Sequence, residues 1–134
     1  MSRKTFRSDG ATITDVATVL VVDDHPSFRR FARRLLEAEG FCVVAEAADG
    51  ASALAAVQAR RPDVVLLDVL LPDTTGFALA DVLAAEPEGP TVVLTSSRSA
   101  SDFGGAVAQS SARGFIPKSD LSGPALLAVL RRSP

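Results

Sequence analysis

The 134-residue chain has no tryptophan, no tyrosine and a single cysteine, Cys42. One cysteine cannot close an intrachain disulfide, and the paired spacings of a cysteine zinc site are missing, so the chemistry must rest on oxygen and nitrogen groups. An excess of charge of one sign is absent too. Fourteen Lys and Arg face sixteen Asp and Glu, a net charge of −2, which supplies no field for holding a polyanion. Nucleic-acid binding by the domain itself is therefore disfavoured. No apolar run nears the ~20 residues that cross a bilayer, and the N-terminus lacks the apolar core of a signal peptide. A cytoplasmic protein that does not engage a membrane is expected.

What is present suits one globular domain: 47% of residues are apolar and 22% charged, ordinary values for a chain long enough to bury a core. Residues 1–17 stand apart. They mix Arg3, Lys4, Arg7, Ser8, Asp9 and Gly10 with few large apolar side chains, so the sequence predicts a flexible N-terminal tail there and a folded domain over 18–134.

Within 18–134, short β-branched runs alternate with segments of helical period, five times over, as βα units on a parallel sheet require. Strands are predicted at 19–22, 41–45, 64–68, 91–95 and 114–116. The first helix is the clearest, with Phe28, Phe31, Ala32, Leu35 and Leu36 on one stripe, Arg29, Arg30, Arg33 and Arg34 pointing away, and Gly40 as its stop. A second helix spans about 50–60 and ends before Pro62, with Leu54 and Val57 heading its core face. A third begins near Gly76 with Phe77, Ala80 and Leu83 beside Leu79 and Val82. The fourth, about 101–111, contains Gly104 and Gly105, which together cost about 2 kcal/mol relative to alanine, so it should be short or mobile. Pro124 opens a fifth that turns Leu126, Leu127 and Leu130 inward.

Right-handed crossovers make such strands parallel and bring their C-terminal ends to one edge, where open α/β sheets bind ligands. Five polar positions collect there: Asp23 and Asp24 after the first strand, Asp68 ending the third, Thr95 with Ser96 ending the fourth, and Lys118 shortly after the fifth. An aspartate or hydroxyl at a strand end has a plainer use as a helix cap or turn former. Caps, however, have no use for Lys118. Clustered carboxylates repel unless a cation offsets them, and hard oxygen donors with room for water suit Mg2+, which commonly bridges carboxylates to a phosphate oxygen.

The stretches VLVVDDHPSFRR, DVVLLDVLLPDTTG, TVVLTSS and GFIPKSD occur in order with a βα unit between each. Together they resemble the receiver domain of bacterial two-component response regulators, of the CheY-like and LuxR/NarL types, over essentially Thr18 to Arg132. The resemblance implies a doubly wound (βα)5 flavodoxin-like fold, a five-stranded parallel sheet in the order 2-1-3-4-5 with helices on both faces. It implies that Asp68 is the phosphoacceptor, that Asp24, Asp68 and the backbone carbonyl of Leu70 ligate Mg2+ with Asp23 acting mostly through water, and that Lys118 neutralises phosphoryl charge. Thr95 and Phe115 would be the switch pair, the hydroxyl drawn to the phosphoryl group and the ring turning inward. The phosphoryl source would be a sensor histidine kinase or a histidine phosphotransfer protein. Output would pass through an unknown protein target, with a phosphorylation-dependent homodimer as one form.

Some residues depart from the family pattern or sit beside it. Thr75 stands where an Asp often precedes the glycine, which alters the turn more than the chemistry. Pro117 follows Ile116 in a bond open to the cis isomer. His25 reads as the start of a helix before Pro26 rather than as a ligand, and the Arg29, Arg30, Arg33, Arg34 cluster as a solvated face bordering the crevice. Only Ser133 and Pro134 follow the receiver, so a single-domain regulator is expected. Two alternatives remain: the receiver half of a truncated DNA-binding transcription factor, and an Asp-nucleophile phosphatase. The last needs an acid two residues after the nucleophile, where this chain has Leu70, so a phosphoacceptor without enzymatic turnover is expected.

Overall fold

The computed structural model describes residues 17–132. The predicted tail of 1–17 lies outside the described residues save for Ala17, whose carbonyl accepts the Cys42 N–H. Five strands, β1 (Thr18–Val22), β2 (Cys42–Ala47), β3 (Val64–Asp68), β4 (Thr91–Ser96) and β5 (Gly114–Pro117), form one parallel sheet in the order β2-β1-β3-β4-β5. This is the doubly wound arrangement expected. Chain order reverses between β1 and β3, which pair directly, so a crevice opens beyond their C-terminal ends.

Alternation along the strands builds two apolar layers. Val19, Val21, Val64, Leu66, Val93 and Ile116 pack under α1 (Pro26–Ala38) and α5 (Gly123–Leu130). Leu20, Val22, Val65, Leu67, Val92 and Leu94 pack under α2 (Gly50–Arg60) and α3 (Gly76–Ala84). With both faces covered, the strands carry apolar residues at successive positions; all five residues of β3 are buried. Each fully buried Leu or Val contributes about 1.5–3 kcal/mol by leaving water.

Local differences from the expected elements have physical causes. Phe41 precedes β2 instead of opening it, because its N–H closes on the Leu36 carbonyl after α1 while its ring stays buried. A register shift between Val19 and Leu20 then carries Glu46 and Ala47 into the ladder. Phe31 is 50% exposed, so the buried stripe of α1 is narrower than its periodicity suggests and centres on Ala32 and Leu36. Val82 is likewise exposed on α3, and Val129 joins Leu126 as a buried residue of α5 while Leu127 and Leu130 are half-buried. No peptide bond among the described residues is cis, so Pro117 follows a trans bond. The fourth helical segment is short, as expected. A 3-10 turn over Ala100–Phe103 and a single helical turn, α4 (Ala106–Gln109), flank Gly104 at φ 61°, and neither carries a buried residue.

Gly76 shows how tightly the site is backed. A Cβ there would lie 2.6 Å from the Asp68 carbonyl oxygen and 2.9 Å from Val69 Cα, closer than real side chains come. Only glycine lets α3 begin directly against the end of β3.

Candidate functional site

Asp23 follows β1 and is completely buried. Its backbone N–H is held by the Ala47 carbonyl at 3.0 Å, and Arg29 Nη1 donates to its carbonyl at 2.6 Å. Its side-chain Oδ1 accepts the His25 backbone N–H at 2.8 Å and lies 3.0 Å from His25 Nδ1. Its Oδ2 forms an ion pair with Lys118 Nζ at 2.5 Å. Asp68 ends β3, also buried; Oδ1 accepts the Leu70 N–H at 3.3 Å, and Oδ2 lies 3.5 Å from the same Lys118 Nζ. Lys118, in a 3-10 turn after β5, packs its ammonium 4.5 Å from the Phe28 ring centroid, a cation–π contact that keeps the charge over the crevice. Asp24 sits at the rim, exposed, with Oδ1 3.1 Å from His25 Nδ1.

The electrostatics follow from that packing. Burial pushes Asp68 up and the charge of Asp23 adds to it, while Lys118 and the Leu70 N–H offset only part, leaving its pKa at about 6. Burial acts in the same sense on Asp23, but Lys118 and the two His25 contacts outweigh it and hold that carboxyl below its ordinary range. One lysine thus serves two carboxylates unequally. Asp23 takes the closer contact and stays ionised, and Asp68 is left short of positive charge.

Thr95 pairs in register with Asp68 on the neighbouring strand. It is fully buried, and its Oγ1 has no hydrogen-bond partner. An orphan buried hydroxyl costs about 1–3 kcal/mol. Ser96, next to it, is occupied in accepting the Arg98 N–H. Leu70 contributes its N–H to Asp68 and a half-exposed side chain. Phe115 is half-buried among the apolar groups of the α2 and α3 layer; its ring stacks edge-on to Phe103 at 6.2 Å, and Phe103 to Phe77 at 5.6 Å.

Asp23, Asp24, His25 and Asp68 each offer a ligand atom within 4.8 Å of the others. Three carboxylates, one of them buried and pushed upward, beside an unsatisfied hydroxyl fit a hard divalent cation with an anion next to it. The structure brings Asp23, Asp24, Asp68 and Lys118 together, with Thr95 opposite Asp68 on the neighbouring strand.

One expectation holds and one is corrected. His25 does start the helix, at the N-cap position of α1 without a side-chain cap, and its Nδ1 lies 3.0 and 3.1 Å from the side chains of Asp23 and Asp24. Arg29 and Arg33 are not simply solvated. Both bind Glu46 of β2, at 3.1 and 2.8 Å, anchoring α1 across the edge strand. One supporting residue escaped sequence reasoning. Asp73 accepts the N–H groups of Gly50 and Ala51 at 2.8 and 3.1 Å, capping α2 and fixing the loop that follows Asp68; a partner 23 residues away leaves no local signal.

A doubly wound α/β sheet with an acidic crevice at its switch point and a lysine closing it belongs to the α/β domains that bind ligands beyond the C-terminal ends of their strands. The chain belongs to the response regulator receiver domain family, whose model matches residues 19–131. It is similar to the transcriptional regulatory protein TcrX of Mycobacterium tuberculosis, 42% identical over 94 residues, which are 70% of this chain and 38% of that protein. A transcriptional regulator of Pseudomonas aeruginosa is 33% identical over 114 residues, 85% of this chain and 55% of the relative. The chain thus spans between about a third and just over half of the length of these relatives. Among solved structures, the receiver domain of the response regulator NarL from Mycobacterium tuberculosis superposes with a TM-score of 0.76 at 34% identity, covering 88% of this chain and 99% of that one. No described helix is long and apolar enough to cross a membrane.

Proposed function

We propose that this chain is a phosphoacceptor receiver in which Asp68 takes a phosphoryl group from a phosphohistidine of a sensor histidine kinase or phosphotransfer protein. The observation that carries the reading is the meeting of Asp23, Asp68 and Lys118, with one ammonium 2.5 Å from the first carboxylate and 3.5 Å from the second.

In the proposed step an Asp68 carboxylate oxygen forms a bond to phosphorus as the P–N bond of the donor breaks, the electron pair leaving on the donor imidazole. The product is an acyl phosphate. Such transfers pass through a loose transition state with charge spread over the equatorial oxygens, so positioning and charge neutralisation supply the catalysis. Lys118 would turn from Asp68 to the arriving phosphoryl oxygens while Asp23 keeps it close. Thr95 would donate its unpartnered hydroxyl to another of those oxygens, moving the loop after β4, and Phe115 would follow by shifting against Phe103. Mg2+, held by Asp24, Asp68 and the Leu70 carbonyl with Asp23 through water, would supply the remaining positive charge. Output would be a phosphorylation-dependent contact with a protein target or a second copy, in the cytoplasm, with no turnover chemistry of its own and no nucleic acid bound by this domain.

The test is to incubate the protein with Mg2+ and acetyl phosphate and weigh the intact chain. A gain of one phosphoryl group, labile to hydroxylamine and lost in Asp68→Asn, supports the proposal; an unchanged mass in wild type sinks it. Repeated hydrolysis of a phosphomonoester would favour the phosphatase reading instead. A second reading has an observation of its own: relatives named transcriptional regulators extend well past the matched region, as expected if this is the receiver portion of a transcription factor. Sequencing the reading frame beyond Pro134 separates the two.

A further inference from the structure

We propose that a cavity at the end of the sheet remote from the acidic crevice binds a small organic carboxylate, held by the guanidinium groups of Arg113 and Arg132. The cavity measures about 430 Å3 and is lined by the end of α3, the start of β4, the residues just before β5 and Arg132 after α5. Small-molecule sites usually have volumes of about 300–1,000 Å3. Because the strands are parallel, this is their N-terminal edge, separated from Thr95 and Asp68 by the length of β4.

The charge there is unbalanced. Arg113 is partly buried, and its Nη1 donates at 3.2 Å to the carbonyls of Leu130 and Arg132, holding the end of α5. Those acceptors are neutral. Among the described residues neither Arg113 nor Arg132 has a carboxylate partner, whereas Arg29 and Arg33 both pair with Glu46. A charge drawn out of water is ordinarily offset by an opposite one. With Nη1 committed, Nε and Nη2 of Arg113 are left. They form the edge of the guanidinium plane that takes a carboxylate through two parallel hydrogen bonds.

The rest of the lining decides the class of anion. Ala84, Pro90, Val92 and Ala112 supply apolar wall, so an occupant with a hydrocarbon body gains from burial that a bare inorganic anion lacks. Ser111 also lines the cavity and donates its hydroxyl to Asp81 Oδ1 at 2.6 Å. One carboxylate therefore already stands beside the wall, and repulsion from it favours a monoanion over a multiply charged ligand.

The experiment titrates benzoate into the 15N-labelled chain and follows backbone 1H–15N correlations, with benzamide as the uncharged isostere and inorganic phosphate in a third sample. Saturable shifts centred on Val92 and on residues 111–114 are expected with benzoate alone. Arg113→Gln should weaken benzoate about tenfold or more through loss of a charged hydrogen-bonding pair. Arg132→Gln, at a side chain without a partner among the described residues, should weaken it in the same direction and keeps the test valid if Arg113→Gln disturbs the end of α5. Benzamide binding as tightly as benzoate, saturation by phosphate and not benzoate, shifts centred on Asp23 and Asp68, or affinity unchanged in both variants would each overturn the proposal.

Discussion

The crevice and the α4 segment stand at opposite limits of how this chain is held. Around the crevice, Asp23, Asp68 and Thr95 are buried at or just after strand ends, with Val22, Leu67 and Leu94 before them fully covered. Between β4 and β5, the turn over Ala100–Phe103 and α4 contain no fully buried residue, and Phe103, partly buried, stacks between Phe77 and Phe115. The site needs fixed atoms, because reacting groups must be placed to fractions of an ångström. A segment of low local stability is where rearrangement costs least. The segment touches the rest of the fold through the rings Phe103–Phe77 and Phe103–Phe115 and through the Ser111 hydroxyl on Asp81.

The sharpest way to break the comparison is to damage the rigid side. Leu94→Ala, at a fully buried position of β4, should cost about 3 kcal/mol, whereas Val107→Ala in α4 should cost less than about 1 kcal/mol. Urea unfolding followed by far-ultraviolet circular dichroism measures both, since the chain has no tryptophan to report. Equal losses would show that α4 is as well held as the sheet.

Next in size, Asp68→Asn should stabilise the metal-free protein at pH 7 by on the order of 2 kcal/mol. The folded pKa of about 6 lies above the ordinary 3.8, so between those values the folded protein binds more protons than the unfolded chain. Stability therefore falls as pH rises through that window, and the penalty is complete above about pH 6. The advantage of the variant should fade towards pH 4, and thermal melts across that range would show a flat difference if Asp68 is not strained by its burial. Phosphorylation or a divalent cation removes the penalty by another route, so wild type should gain more from Mg2+ than the variant does.

Phe103→Ala sharpens the link between the regions. Loss of its two ring contacts should cost about 1 kcal/mol, and amide exchange over residues 106–109 should quicken by about fivefold while that of β3 stays unchanged. Uniform acceleration across the sheet would mean that Phe103 is part of the core rather than a local anchor. The smallest effect concerns the far side of the crevice. Arg33 and Arg29 hold Glu46 below its ordinary pKa, burial opposing them, so this pairing stabilises above the ordinary carboxylate range and is lost as pH falls through the lowered value. Glu46→Gln should cost no more than about 0.5 kcal/mol near neutral pH, read from the same unfolding curves.

Much of this was legible one residue at a time. Apolar runs covered on both sides marked the strands; Pro26, Pro62 and Pro124 marked helix ends because proline fixes φ and lacks an N–H, and Gly40 because it takes a positive φ, 97°, without strain. The five polar strand ends were legible because a parallel sheet must gather its C-terminal ends along one edge. Phe31 was misplaced since periodicity names a stripe without saying how wide a surface covers it. Asp73, Arg29 and Arg33 were missed or misjudged because their partners are distant in sequence. The sequence alone determined the order of elements, the edge on which chemistry collects and the residue types there, through local backbone preference and hydrophobic period. Only the tertiary structure decided that Lys118 binds Asp23 more closely than Asp68, that Thr95 is left without a partner, and that His25 faces two carboxylates. The first two depend on distances between side chains from separate strands, and the third on how the short turn before α1 folds, which no period or propensity encodes.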